Sequence, residues 1–427
     1  MGPIDVAEGT RDEVEITNLR VGYDFDLRVR NGLASITGSL YAGLDADIYS
    51  DAETFTLDVS SFFVGGNLEV DTILDNDTDT FLLRADSFFV FNGFDLYANI
   101  YATGAPADAV SIDVGGVFSV GGDFLVQNDG TGGKSVVVVG ADIVDIGGRL
   151  LVDNISQEPD EFLSLVIDTD VLRLNEGLTL SSKSPASSSV DIDADLAIIN
   201  GPVTAKLSKS GGDLSIVADN LTIQGNVNFA VKETGHLLLQ GSGDVFGKVS
   251  ASLGSGSGTV QVLGSPDGEL AITGLSITTP KKLPATASGA EIAIENVVVF
   301  GKAKLKLGRG GDLIDINDSV FFARATISTG AGGDTVNIHT NGDVISEFRA
   351  GLNVTLGTGN DFLNLGREEA ANANTALFLY GAKKFDGGSG TDLYSAEGRN
   401  VQFLKSITKN VVLNPKVRGF EPGVIVS

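Results

Sequence analysis

One motif recurs along most of this chain: an apolar strand, a glycine, then a strand in which apolar and polar residues alternate. Phe62-Phe63-Val64-Gly65-Gly66-Asn67-Leu68-Glu69-Val70 and Phe118-Ser119-Val120-Gly121-Gly122-Asp123-Phe124-Leu125-Val126 show it. Ile143-Val144-Asp145-Ile146-Gly147-Gly148-Arg149-Leu150-Leu151-Val152 repeats it, and Val298-Val299-Phe300-Gly301-Lys302-Ala303 continues it. Taking Gly38, Gly66, Gly93, Gly122, Gly148, Gly177, Gly201, Gly225, Gly247, Gly274 and Gly301 as anchors, the repeat advances by roughly 22 to 29 residues, the length of one coil in a stacked-coil fold. Upstream of the anchors, Phe55-Thr56-Leu57-Asp58-Val59, Ile192-Asp193-Ala194 and Ile314-Asp315-Ile316 alternate with period two. That period sends the aliphatic side chains inward and the aspartates outward.

The expected fold is therefore all-β: a single parallel β-helix or β-solenoid of about 12–14 coils with terminal caps. The boundaries read as an N-terminal cap over 1–30, the solenoid over 31–400 and a C-terminal cap over 401–427. Phe62, Phe63, Phe88 and Phe89 read as core stacks. The two histidines, His236 and His339, fall in different coils and read as surface residues.

Charge narrows the function classes. The 427 residues carry 56 acidic against 29 basic side chains, a net charge of −27. Such a surface repels nucleic acid and anionic lipid. It suits divalent cations, a salty exterior or simple solubility. With no cysteine, disulfides, thiol catalysis and cysteine metal sites are excluded. No apolar run approaches the roughly 18 residues of a membrane span, so no membrane insertion is expected. Met1-Gly2-Pro3-Ile4-Asp5 lacks the basic and apolar regions of a signal peptide. Export with the leader absent from this chain is the expectation.

The last third carries a sharper signal. Gly308-Arg309-Gly310-Gly311-Asp312, Gly330-Ala331-Gly332-Gly333-Asp334, Gly357-Thr358-Gly359-Asn360-Asp361 and Gly388-Ser389-Gly390-Thr391-Asp392 each precede a strand. The glycines permit a tight turn that aims carbonyls at one point, and the aspartate adds a hard anionic oxygen. That combination suits Ca²⁺, which takes six to eight oxygen ligands. The alternative is structural: the aspartate caps the turn by accepting nearby backbone amides. Earlier turns lose the acid, as in Gly254-Ser255-Gly256-Ser257-Gly258 and Gly130-Thr131-Gly132-Gly133-Lys134. Asp75-Asn76-Asp77-Thr78-Asp79 has EF-hand-like spacing without the rest of that motif and reads as a solvated turn.

These G-x-G-x-D turns resemble the nonapeptide of RTX-type calcium-binding β-roll proteins. In that family the nonapeptides run in tandem. Here the aspartates stand 22, 27 and 31 residues apart, one turn per coil. The whole chain is similar to the repeat regions of secreted bacterial surface β-helix proteins. That resemblance implies an extracellular, non-catalytic structural or adhesive protein of the cell surface or matrix. It also implies other copies of itself or surface components as partners, a possible use as a filament subunit, and Ca²⁺ on Asp312, Asp334, Asp361 and Asp392.

The competing expectation is a polysaccharide-active β-helix enzyme, a lyase or glycoside hydrolase. Paired outward carboxylates would serve it. Against it stand the absence of Trp, only seven Tyr, and no arginine clustered beside the acidic strands. The basic, proline-flanked insertion Thr279–Gly289 reads as a surface excursion or a partner contact.

Overall fold

The computed structural model describes residues 4–6, 12–30, 32–51, 54–74, 80–100, 108–130, 134–159, 162–209, 211–254, 258–281, 288–341, 343–366, 376–396, 401–406, 409–412 and 416–420. Among them the chain is all-β, without a helix, and forms the parallel stacked coils of a β-solenoid, about 12 turns in all. It divides into two compact units, Met1–Ala218 and Asp219–Ser427. The run Asp75 to Asp79, residues 131–133 and 255–257 of the two acid-free turns, and 282–287 of the insertion lie outside the described residues.

In the first unit each coil alternates a long and a short strand. Thr54–Val64, Thr80–Val90 and Asp108–Val120 are long, bend near their middle and line two faces. Leu68–Leu74, Phe94–Ile100 and Phe124–Asn128 are short and line the third. Pairing is parallel and in register, so Phe62 lies beside Phe88 and Phe88 beside Phe118. Asp12–Val21 already pairs in parallel with Gly32–Ala42. From Glu291 onward, in the second unit, the bend opens into a corner, giving three separate strands per coil. Leu313–Asn317, Val320–Phe321 and Ala325–Ala331 form one coil; Thr335–Ile338, Ser346–Phe348 and Leu352–Thr358 form the next. Near the end, Lys409–Val412 turns back antiparallel on Val401–Ser406.

Stacking like on like fills the core. Phe62, Phe88 and Phe118 form a column with centroid spacings of 4.8 and 4.7 Å, and Phe94 stacks on Phe124 at 4.8 Å. Each is fully buried. Phe63 and Phe89 are not core residues: Phe63 stacks on Tyr41 on the outer surface, and Phe89 is 41% exposed. Successive strand residues point to opposite faces, so only one of each Phe-Phe pair can enter the core.

The register also corrects the anchor series. At the turn before each short strand, backbone amides and carbonyls link Leu44, Gly66, Asn92, Gly122, Gly148 and Glu176 from coil to coil. Gly93 and Gly177 therefore sit one residue late, and Gly38 belongs to a different bend, beside Asn18. Glycine serves here through proximity. A Cβ on Gly121 would overlap the carbonyl oxygen of Phe91, and one on Gly147 that of Gly121.

Phe88→Ala should destabilise the chain by about 3–5 kcal/mol, the usual cost of emptying a packed aromatic site. Phe89→Ala, one residue on, should stay within about 0.5 kcal/mol. Urea denaturation of the two full-length variants checks both, and equal losses would contradict the register.

Candidate functional site

The second unit brings Asp312, Asp334, Asp361 and Asp392 together as one ladder, a residue per coil, at the corner leading into each coil's first strand. All four side chains are buried, none more than 3% exposed. One carboxylate oxygen of each is spent on the coil before it. Asp312 Oδ1 accepts the Ala290 amide at 2.8 Å, and Asp334 Oδ1 accepts the Asp312 amide at 2.9 Å. Asp361 Oδ1 accepts the Asp334 amide at 2.9 Å, and Asp392 Oδ1 that of Asp361 at 3.1 Å. The glycines make the approach possible. Gly332, Gly359 and Gly390 hold φ of 151°, 144° and 136°, a region that disfavours side chains. A Cβ on any of them would overlap a carbonyl oxygen of the preceding turn.

The second oxygen, Oδ2, of all four aspartates is buried without a hydrogen-bond partner. Burial accordingly pushes the Asp312 carboxyl up to about 7, against the pull of the Ala290 amide and with a push from Asp334. Burial likewise raises Asp361 to about 6, with the charges of Asp334 and Asp392 adding to it. Asp334 is raised for the same first reason. Among the described residues, no three His, Cys, Asp or Glu side chains gather around one point as metal ligands. Each ladder aspartate has one oxygen left, and turn carbonyls such as Gly308 O already accept an amide, here that of Ala331 at 2.9 Å. A proton on the free oxygen of Asp312 and of Asp361 fits this burial.

A related ladder in the first unit escaped the sequence reading, although two of its residues, Asn67 and Asp123, directly follow anchor glycines. Asp45 Oδ1 accepts the Asn67 amide at 2.7 Å, Asn67 Oδ1 the Gly93 amide at 3.2 Å, and Asp123 Oδ1 the Arg149 amide at 2.7 Å. On the outer face of the same short strands, Asp26, Asp47, Glu69 and Asp95 stand in register on successive coils. Burial raises Asp47, Glu69 and Asp95, with nearby carboxylates adding to it: Asp26 at Asp47, Asp47 and Asp95 at Glu69, and Asp123 at Asp95. Three of them, with Arg28, Tyr49 and Asp71, line a cavity of about 420 Å³.

His339 is buried, contrary to the surface position expected of it. It occupies the corner between two strands with φ of 61°, as Asn296 and Asp318 do on the two preceding coils. Its Nδ1 lies 2.9 Å from Ser346 Oγ and 4.0 Å from Asp318 Oδ1. The residue types are those of a hydrolytic triad, but serine and aspartate approach the same nitrogen, so the ring cannot relay a proton between them. Ser346 is moreover fully buried. His236, by contrast, lies on the surface. No family model matches this chain, and neither a curated protein nor a solved structure matches it.

The ladder makes stability depend on pH in a definite direction. The folded values lie above the 3.8 of the free side chain, so the folded chain keeps protons that the unfolded chain releases. That contribution is complete below 3.8 and is withdrawn as pH climbs through about 6 and about 7. In chelator, the melting temperature should fall between pH 4 and pH 8, and Asp312→Asn with Asp361→Asn should flatten the slope. Thermal scans at stepped pH decide it; a slope unchanged in the double variant would refute the protonated ladder.

Proposed function

We propose that the chain is an extracellular, non-catalytic structural β-solenoid of a cell surface or matrix, with adhesion or filament formation as its task. The observation that supports this most is the fate of its reactive groups. The ladder aspartates and the His339–Ser346 pair are buried and committed to contacts within the stack. They brace coils and face no substrate. Among the described residues no helix is long and apolar enough to cross a membrane.

A polysaccharide-active enzyme is the second reading, and the acidic cavity of the first unit favours it. Asp47 and Glu69 lie opposite each other on adjacent coils, about 4.8 Å apart at the backbone, with both carboxyls raised. Retaining glycosidases hold their carboxyls about 5–5.5 Å apart. Incubation of the full chain with a panel of neutral and acidic polysaccharides separates the two. The structural reading expects no new reducing ends and no unsaturated products, and rods or polymers on negative-stain imaging. Product formation that Glu69→Gln abolishes would replace it with the enzymatic one.

A further inference from the structure

The second unit carries a feature that runs against the charge of the chain. Phe246-Gly247-Lys248, Phe300-Gly301-Lys302 and Phe322-Ala323-Arg324 place an exposed phenylalanine two residues before an exposed cation, always at the turn before a coil's third face. Lys248 pairs with Gly274, which precedes the Leu275–Ala303 pair, so Lys302 follows on the next coil. Arg324 follows on the coil after that. Lys304 extends the row sideways along its strand. The coil between Lys248 and Lys302 has Thr273-Gly274 in place of the aromatic and the cation, and this cuts a notch. The result is a groove of about 860 Å³ with Lys248 on one side, Lys302, Lys304 and Arg324 on the other, and Thr273 and Ser276 among its lining.

None of these four cations takes part in an ion pair among the described residues. Lys302 and Arg324 stand on neighbouring coils, like charges about 5 Å apart that repel by about 1 kcal/mol in water, and Lys248 lies two coils from Lys302. No ion pair among the described residues offsets this repulsion, whereas an anionic chain lying along the row would. We propose that this groove binds a linear acidic polysaccharide, its carboxylate or sulfate groups on Lys248, Lys302, Lys304 and Arg324 and its hydroxyls against Thr273 and Ser276. The aromatic geometry favours a glycan over single-stranded nucleic acid. Phe322 packs against Phe300 at 5.1 Å, and the Arg349 guanidinium covers it at 4.1 Å. Among the described residues no aromatic ring lines the groove itself. Base-by-base stacking needs a series of such rings. At physiological ionic strength charges beyond about 8 Å are largely screened, so the acidic remainder of the chain does not cancel the row.

This inference deepens the adhesive reading and rests on it only for the choice of a glycan. The full chain is titrated with polygalacturonate, heparin, neutral dextran and oligothymidylate at low and physiological salt. Binding to polygalacturonate or heparin, absent with dextran, is expected. K302E/R324E should weaken it by about tenfold or more, while K183E/K206E, an equal charge change in the first unit, should alter it less than about twofold. K302Q/R324Q repeats the test with a milder change should the reversal disturb folding, which circular dichroism reports. Equal losses in both pairs of variants, tighter binding of oligothymidylate, or no binding above dextran would each overturn the groove. A chain that forms filaments yet binds no glycan would overturn this inference and leave the structural reading standing.

Discussion

The contact on which the rest depends is the stacking of turn backbones, carbonyl oxygen over glycine, from one coil to the next. Gly357 sits over Gly330 and Gly388 over Gly357 so closely that a Cβ on either would overlap the carbonyl beneath. Once two turns are this close, the strands that leave them are locked in parallel register and cannot slip by a residue without turning their apolar side chains outward. Register then sets identity: phenylalanine columns, amide ladders and charge rows are all consequences of one residue lying over its counterpart.

Close turns also strand backbone amides, and buried amides must be paired. Two devices solve this, the first typical of the first unit and recurring in the second at Asn226, whose Oδ1 accepts the Lys248 amide. In the first, an exposed or half-exposed Asn or Asp reaches the amide of the following coil. Asp123 shows the electrostatic result: what burial it has pulls its carboxyl up, but the amide and guanidinium of Arg149 outweigh that and hold it below the ordinary value. In the second, a fully buried aspartate reaches the amide of the preceding coil and has one oxygen left over. The same residue type thus serves as a permanent anion in one unit and as a proton holder in the other. The difference lies in exposure and in whether an arginine stands alongside.

Much of this was legible in the sequence because the period of a coil and the alternation of a strand are both one-dimensional signals. The four G-x-G-x-D turns could be placed on successive coils from spacing alone. What spacing could not show is direction. Phe62-Phe63 and Phe88-Phe89 look equally apolar, and only the pleat decides which ring enters. Asn92 and Glu176 occupy turn positions that glycine fills on neighbouring coils, so an anchor defined by glycine drifts by a residue. His339 is hidden because its corner needs a left-handed φ, which Asn and Asp fill on the preceding coils. Lys383 is harder still. It points inward on a strand position that Leu352 fills one coil earlier, and its Nζ donates to Leu379 O and Leu404 O at 3.0 and 2.7 Å. Burial lowers that ammonium to about 8. Nothing in the local pattern separates it from an outward lysine.

A stacked-coil fold constrains its inward positions and its turns and leaves the outward strand positions almost free. Charge placed there is repeated at the coil spacing, so like-charged runs carry a standing repulsion that isolated surface charges avoid. Among the described residues Asp26, Asp47, Glu69 and Asp95 form such a run in the first unit, and Lys302 with Arg324 forms a shorter one of opposite sign in the second. Alternating signs down each face would have given favourable pairs between neighbours for the same backbone. The fold recovers nothing from keeping the signs apart. Segregated runs therefore bear on what the outer surface meets, and the groove, lined by four cations on an acidic chain, is where that bearing is most specific.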